Sequence, residues 1–290
     1  MMLHRLCEVY LEYAKTCYRK PDGGLSNEYH AIAYVLGQLL DVQPDISSED
    51  FGPSLLIKFR DYLETFEYTR QTINDKISRV KRVFRWACER EYVSGKVFMS
   101  VNSVAQLRSG RCSAKDNVKV RPAMWRQVRA VVQGSNTMVG RMVRIHYLTG
   151  MRINELVNMR WQHIERSDDY AVYTPIYHKT SYLGKPRQIV LGPRVLKLLG
   201  AASEGFCFLT KHGRPYDRSS YRREIVRACE RKCVEPFTPL QLRHNAAKRF
   251  NKHFGIELSR IMLGHSSAFT TEIYIERDLI QLMKAAKKIA

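Results

Sequence analysis

Apolar residues recur at helical spacing through most of the first hundred positions. Leu3, Leu6, Val9, Tyr10 and Tyr13 share one face of an amphipathic helix, which the run KPDGG stops. A second stripe predicts a helix over Asn27–Leu40. Phe51-Gly52-Pro53 opens a third, burying Leu55, Leu56, Phe59 and Leu63. The fourth lies within Thr69–Glu91 and is built on Ile73, Ile77, Val80, Val83, Phe84 and Ala87. The periodicity is lost across LRSGRCSAKDNVKV, so the chain is expected to divide there into a helical domain over 1–110, a linker over 111–119 and a second domain over 120–290.

The second domain begins with helix signals at Pro122–Trp125, followed by Val128, Val131 and Val132. A further helix runs from Met138 to Leu148 and breaks at Thr149-Gly150, and helix resumes at Ile153–Leu156. The period then changes. Ala171–Tyr177 and Arg187–Leu191 read as two strands joined by a Gly- and Pro-containing turn, Ser181–Pro186. Helices follow at Pro193–Leu199 and Arg218–Cys233, and through Thr238–Glu276 with breaks at Gly255 and Gly264-His265-Ser266-Ser267. A tail carries Leu279, Ile280, Leu282 and Met283 over Lys284, Lys287 and Lys288. It caps its own domain or docks on a neighbouring copy. The fold class expected is mainly α with a small antiparallel β-sheet.

Charge narrows the function. Lys and Arg number 48 against 28 Asp and Glu, a net charge of +20 with a pI near 9.8, which points to a polyanion as partner. On the fourth helix Arg70, Lys76, Arg79, Lys81, Arg82 and Arg85 form a row suited to backbone phosphates; a solvated basic face is the alternative for any one of them. The seven cysteines form no CxxC pair and no Cys/His cluster with zinc spacing, as expected of reduced cytosolic thiols, and no metal site is expected. No apolar run has the length of a membrane span, so a cytoplasmic protein, bound to the nucleoid when on DNA, is expected.

Two arginines and a tyrosine hydroxyl can hold and attack one phosphodiester, because the non-bridging oxygens gain negative charge in the transition state and a guanidinium fork meets two of them at once. Arg152, Arg243 and Tyr274 are the candidates. LTGMRINELVNMRW (148–161) resembles the first arginine box of the tyrosine recombinases, or phage integrase family. LRH (242–244), LGHSS (263–267) and Tyr274, nine residues after His265, resemble its second box in order and spacing. HKTSYLGKPRQIVLGP (178–193) is similar to the hairpin that carries the family's catalytic lysine.

The resemblance implies a helical N-terminal core-binding domain and a mixed α/β integrase-type catalytic domain. It implies that Arg152 and Arg243 bind the scissile phosphate, His265 donates to a non-bridging oxygen, and Lys179 protonates the leaving 5′ oxygen, with Lys185 as the alternative acid. Tyr274 would be the nucleophile of a type IB reaction through a 3′-phosphotyrosine. Glu155 would orient the site. His244 follows Arg243 directly and so points about 100° away from it on a helix, which reads as a structural histidine packed beneath the site. No cofactor is implied. The partners implied are double-stranded DNA and a homotetramer with exchanged C-terminal helices. Leu240 departs from the pattern, standing where the family usually has a histidine. The leading expectation is a site-specific recombinase of a mobile element; the alternatives are an impaired, DNA-binding relative and a type IB topoisomerase.

Overall fold

The computed structural model describes residues 1–20, 23–43, 45–118, 120–133, 137–176, 187–264 and 287. These fall into two compact units, Met1–Lys119 and Val120–Ala290.

The first unit is built from helices α1 (Leu3–Cys17), α2 (Asn27–Val42), α3 (Pro53–Glu64), α4 (Arg70–Cys88) and α5 (Gly95–Asn102). Ser26, Thr69 and Ser94 cap α2, α4 and α5, each accepting from a backbone N–H in the first turn. Helix α4 is the centre and touches α1, α2, α3 and α5. Its stripe from Ile73 to Ala87 is buried as the periodicity predicts, with Phe84 stacked on Phe51 at 4.7 Å. Because neighbours cover α4 on several sides, Asn74, Lys76 and Trp86 are buried as well.

The second unit contains α6 (Trp125–Val132), α7 (Met138–Thr149), α8 (Ile153–Val157), α9 (Pro193–Leu199), α10 (Arg218–Arg231) and α11 (Pro239–Leu263). Its sheet has strands β1 (Ile164–Arg166), β2 (Ala171–Tyr173) and β3 (Ile189–Leu191), antiparallel in the order β1-β2-β3. Ala171 pairs with Leu191 and Tyr173 with Ile189; these four side chains face the core, as period-two alternation requires. Strand β2 is shorter than the expected Ala171–Tyr177, and the return strand pairs from Ile189 rather than Arg187. Strand β1 was not legible because Ile164-Glu165-Arg166 offers a single apolar residue. The expected turn at Ser181–Pro186 and, apart from Lys287, the tail lie outside the described residues.

Two features set the framework of the site. Helix α7 is buried along Val139, Met142, Val143, Ile145 and His146 and packs against α11. Helix α11 opens with Thr238 as cap and Pro239 at its first position, is interrupted at Gly255 (φ 80°), and closes on Gly264 in the left-handed conformation (φ 63°). Among the described residues no helix is long and apolar enough to cross a membrane.

Candidate active site

Helix α7 ends on Gly150, also left-handed (φ 63°). A Cβ there would lie 2.7 Å from both Ala246 Cβ and Leu263 Cδ2, so glycine is needed for the turn and for the close approach to α11 alike. That approach brings Arg152, just past the turn, to the far end of α11.

Arg152 is the N-cap of α8. The Glu155 carboxylate accepts its backbone N–H at 2.6 Å, which is half of a capping box, since a guanidinium has no lone pair to complete the other half. Arg152 Nη1 donates to Glu155 Oε1 at 3.0 Å and Nη2 to the Gly264 carbonyl at 2.7 Å. Arg243, on the second turn of α11, donates from Nη1 to the Gly150 carbonyl and from Nη2 to the Leu263 carbonyl, both at 2.7 Å. Burial first, and then Arg152, lowers the Arg243 guanidinium to about 10, leaving it cationic at neutral pH.

Glu155 is 1% exposed, and Tyr173 of β2 donates to its backbone carbonyl at 2.8 Å. A carboxylate buried this deeply needs counter-charge. Arg152 supplies one; the second is Arg187, 8% exposed, with Nε 3.7 Å from Glu155 Oε1, an ion pair too long for a hydrogen bond. Arg187 also donates to the carbonyls of Ile261 (3.2 Å) and Met262 (2.7 Å). Three guanidiniums thus gather round one carboxylate and one helix end. Arg187 was missed from the sequence: a single arginine before a strand carries no signal of its own.

The turn is pinned from below by His146, which sequence reasoning also missed because a histidine in an apolar helical stripe reads as core. Its Nε2–H donates to the Met151 carbonyl (2.9 Å), leaving Nδ1 to accept from the Tyr221 hydroxyl (3.4 Å). Burial lowers its pKa to about 4, so it is neutral at pH 7.

His244 is a correction. Expected to pack beneath the site, it is exposed, because Leu242, Ala246 and Phe250 take the buried face of α11 and the intervening position turns outward. Leu240 is 50% exposed on the first turn of α11. Lys179, Lys185, His265 and Tyr274 lie outside the described residues.

The basic row of α4 is mostly engaged within its own unit. Lys76 is a second correction: it is 5% exposed, donates to Gln38, and lies 4.5 and 4.4 Å from the ring centroids of Tyr34 and Tyr68. Arg79 forks onto Glu28 (3.1 and 2.9 Å), and Arg82 joins Glu28 (3.0 Å) and the Tyr18 hydroxyl (2.9 Å). Arg70 pairs with Asp116, and Lys81 donates to the carbonyls of Asn102 and Val104. Among the described residues Arg85 pairs only along the helix with Glu89, and its side chain is 70% exposed.

The profile of the phage integrase family matches residues 126–279, more than half of the chain. The chain belongs to the phage integrase family. Curated relatives include tyrosine recombinase XerD of Staphylococcus saprophyticus, 27% identical over 158 residues (49% of this chain, 51% of that one), and XerD of Staphylococcus aureus strain Mu50, 28% identical over 161 residues (49% and 51%). The chain spans about half the length of these relatives. Among solved structures, a lambda integrase (75–356) dimer bound to a COC′ core site superposes with a TM-score of 0.69 at 17% identity, covering 94% of this chain and 100% of that one. The XerH recombinase bound to palindromic difH gives 0.66 at 15% identity, covering 91% and 80%. The integrase fold therefore extends over both units, and the arginine cluster lies within the matched segment.

Proposed function

We propose that this integrase-family chain is a site-specific recombinase of a mobile element, cutting and rejoining DNA through a covalent 3′-phosphotyrosine. The observation that carries the reading is the convergence of Arg152 and Arg243 on the carbonyls of Gly264 and Leu263, one and two residues before His265. Each guanidinium has five N–H donors and uses two of them in these contacts and in those to Glu155 and Gly150. Both retain donors for a phosphate, and their backs are fixed before it arrives. Such preorganisation is the main protein contribution to stabilising a phosphorane.

In this reading Tyr274 Oη loses its proton to solvent as it attacks phosphorus, the P–O bond to the 5′ oxygen breaks, and Lys179 gives that oxygen its proton; Lys185 is the alternative donor. The new phosphotyrosyl bond conserves the phosphodiester's energy for rejoining. His265 donates to a non-bridging oxygen. Double-stranded DNA is the substrate, the N-terminal unit is the core-binding domain, and Arg82 and Arg85 remain open to phosphate contact. Four protomers exchange C-terminal helices on two sites, in line with the lambda integrase tetramer bound to a Holliday junction that this chain resembles in fold.

One observation favours a second reading. Leu240 is half exposed on the first turn of α11 and can neither move a proton nor bind an oxygen. Loss of a positioned acid or base costs roughly 10²–10⁴-fold in rate, so an impaired, DNA-bridging relative is the competing account. The test is a covalent protein–DNA band on a nicked duplex in EDTA. Its formation by the wild type and loss in Tyr274→Phe support the recombinase; binding without a band supports the impaired relative.

A further inference from the structure

Arg187 stands outside the residues to which the family resemblance gave a role, yet its side chain is the least exposed of the three arginines. Its guanidinium lies between Glu155 on one side and the last carbonyls of α11 on the other. The four carbonyls from Ile261 to Gly264 are shared out in order: Arg187 takes Ile261 and Met262, Arg243 takes Leu263, and Arg152 takes Gly264. A helix end is where carbonyls lack helical partners and the dipole is negative, so cations belong there. Arg187 also packs directly on Gly264, where a Cβ would lie 2.7 Å from its Cζ and Nε. Glycine at 264 is thus required by the guanidinium as well as by its φ of 63°.

Adhesion alone does not explain this residue. Arg187 is a third like charge beside Arg152 and Arg243, and its Nε has no hydrogen-bond partner among the described residues. An apolar side chain would fill the same space without that desolvation. What an apolar residue cannot do is hold two carbonyls in a fixed relation while setting a positive charge against the carboxylate; the planar fork does the first and its charge the second.

We propose that Arg187 is a positioning residue for strand transfer: it fixes the helix end that leads into His265 and holds Glu155 where Glu155 orients Arg152. This rests on the recombinase reading. Full-length wild type, Arg187→Lys and Arg187→Gln are compared on a nicked duplex carrying the sequence that the wild-type chain enriches from a random duplex pool. Melting temperature, duplex affinity and the single-turnover rate of adduct formation at saturating protein are read.

Arg187→Lys is expected to melt and bind as wild type and to form adduct more slowly by on the order of 10²-fold, the scale of a misplaced catalytic group. Lysine keeps the charge and loses the fork, so it does not rescue. Adduct formation at the wild-type rate in Arg187→Lys and Arg187→Gln overturns the proposal, as does a slower rate that only tracks lost folding or lost binding. Deuterium uptake across 258–267, read without DNA, separates the two claims. Raised uptake in Arg187→Lys supports the clamp even if the wild type forms no adduct, a result that would defeat the recombinase reading and the catalytic half of this proposal; unchanged uptake overturns the clamp.

Discussion

Arg243 and Arg152 donate to successive carbonyls of one helix end, Leu263 and Gly264, each at 2.7 Å. Their spacing is thereby set by the backbone of α11 rather than by the reach of two flexible side chains. The two segments meet only because Gly150 has no side chain. Gly150→Ala combines a strained left-handed alanine with overpacking against Ala246 and Leu263, and is expected to destabilise the second unit by roughly 2–4 kcal/mol. Chemical denaturation measures this; a loss below about 0.5 kcal/mol, the range of a surface substitution, would refute the close packing.

His146 gives the second unit a specific acid sensitivity. Its folded-state pKa, about 4, lies below the ordinary value of 6.5, so the unfolded chain binds the proton more readily. The stabilisation is complete above pH 6.5 and is lost as pH falls toward 4, amounting to about 3 kcal/mol in all. Urea melts at pH 7 and pH 5 should show the decline in wild type. A much shallower one is expected in His146→Gln, and equal slopes in the two proteins would remove His146 as the source.

The basic row of α4 divides by burial. Lys76→Ala is expected to destabilise the first unit by on the order of 2 kcal/mol, through the lost Gln38 bond and two tyrosine contacts, without changing the salt dependence of DNA binding. Arg85→Ala is expected to leave stability unchanged and to lower the slope of log K against log salt by about 0.9, the value of one phosphate contact. A salt titration of both variants decides, and an altered slope in Lys76→Ala would contradict the buried placement.

Leu240 is half exposed, so the position has room for an imidazole. Leu240→His is expected to speed cleavage if the missing proton-transfer group limits the rate, by up to the roughly 10²-fold at the low end for such a group. An unchanged single-turnover rate would show that position 240 does not touch the chemistry.

The helices could be read from the sequence because apolar stripes at helical spacing and capping residues are local signals; the stripe from Ile73 to Ala87 is the clearest case. Arg152 and Arg243 were found through boxes with fixed spacing. What escaped was decided by packing. Lys76 looked like surface because its helix carried so much charge, yet a helix covered by four neighbours has little free face. His146 and Arg187 act through carbonyls of Met151, Ile261 and Met262, and no pattern of side chains announces a backbone partner. His244 was placed beneath the site from its position beside Arg243; the buried series of α11 runs through its neighbours Leu242 and Ala246 instead.

The most direct test of the account is the chemical identity of the protein–DNA bond. Full-length protein is incubated in EDTA with a nicked duplex carrying its selected sequence, digested, and the DNA-linked peptide sequenced by mass spectrometry. A single attachment at Tyr274 through a 3′ phosphate, absent in Tyr274→Phe, is expected. Attachment at another residue, linkage through a 5′ phosphate, or tight sequence-specific binding with no attachment would contradict it.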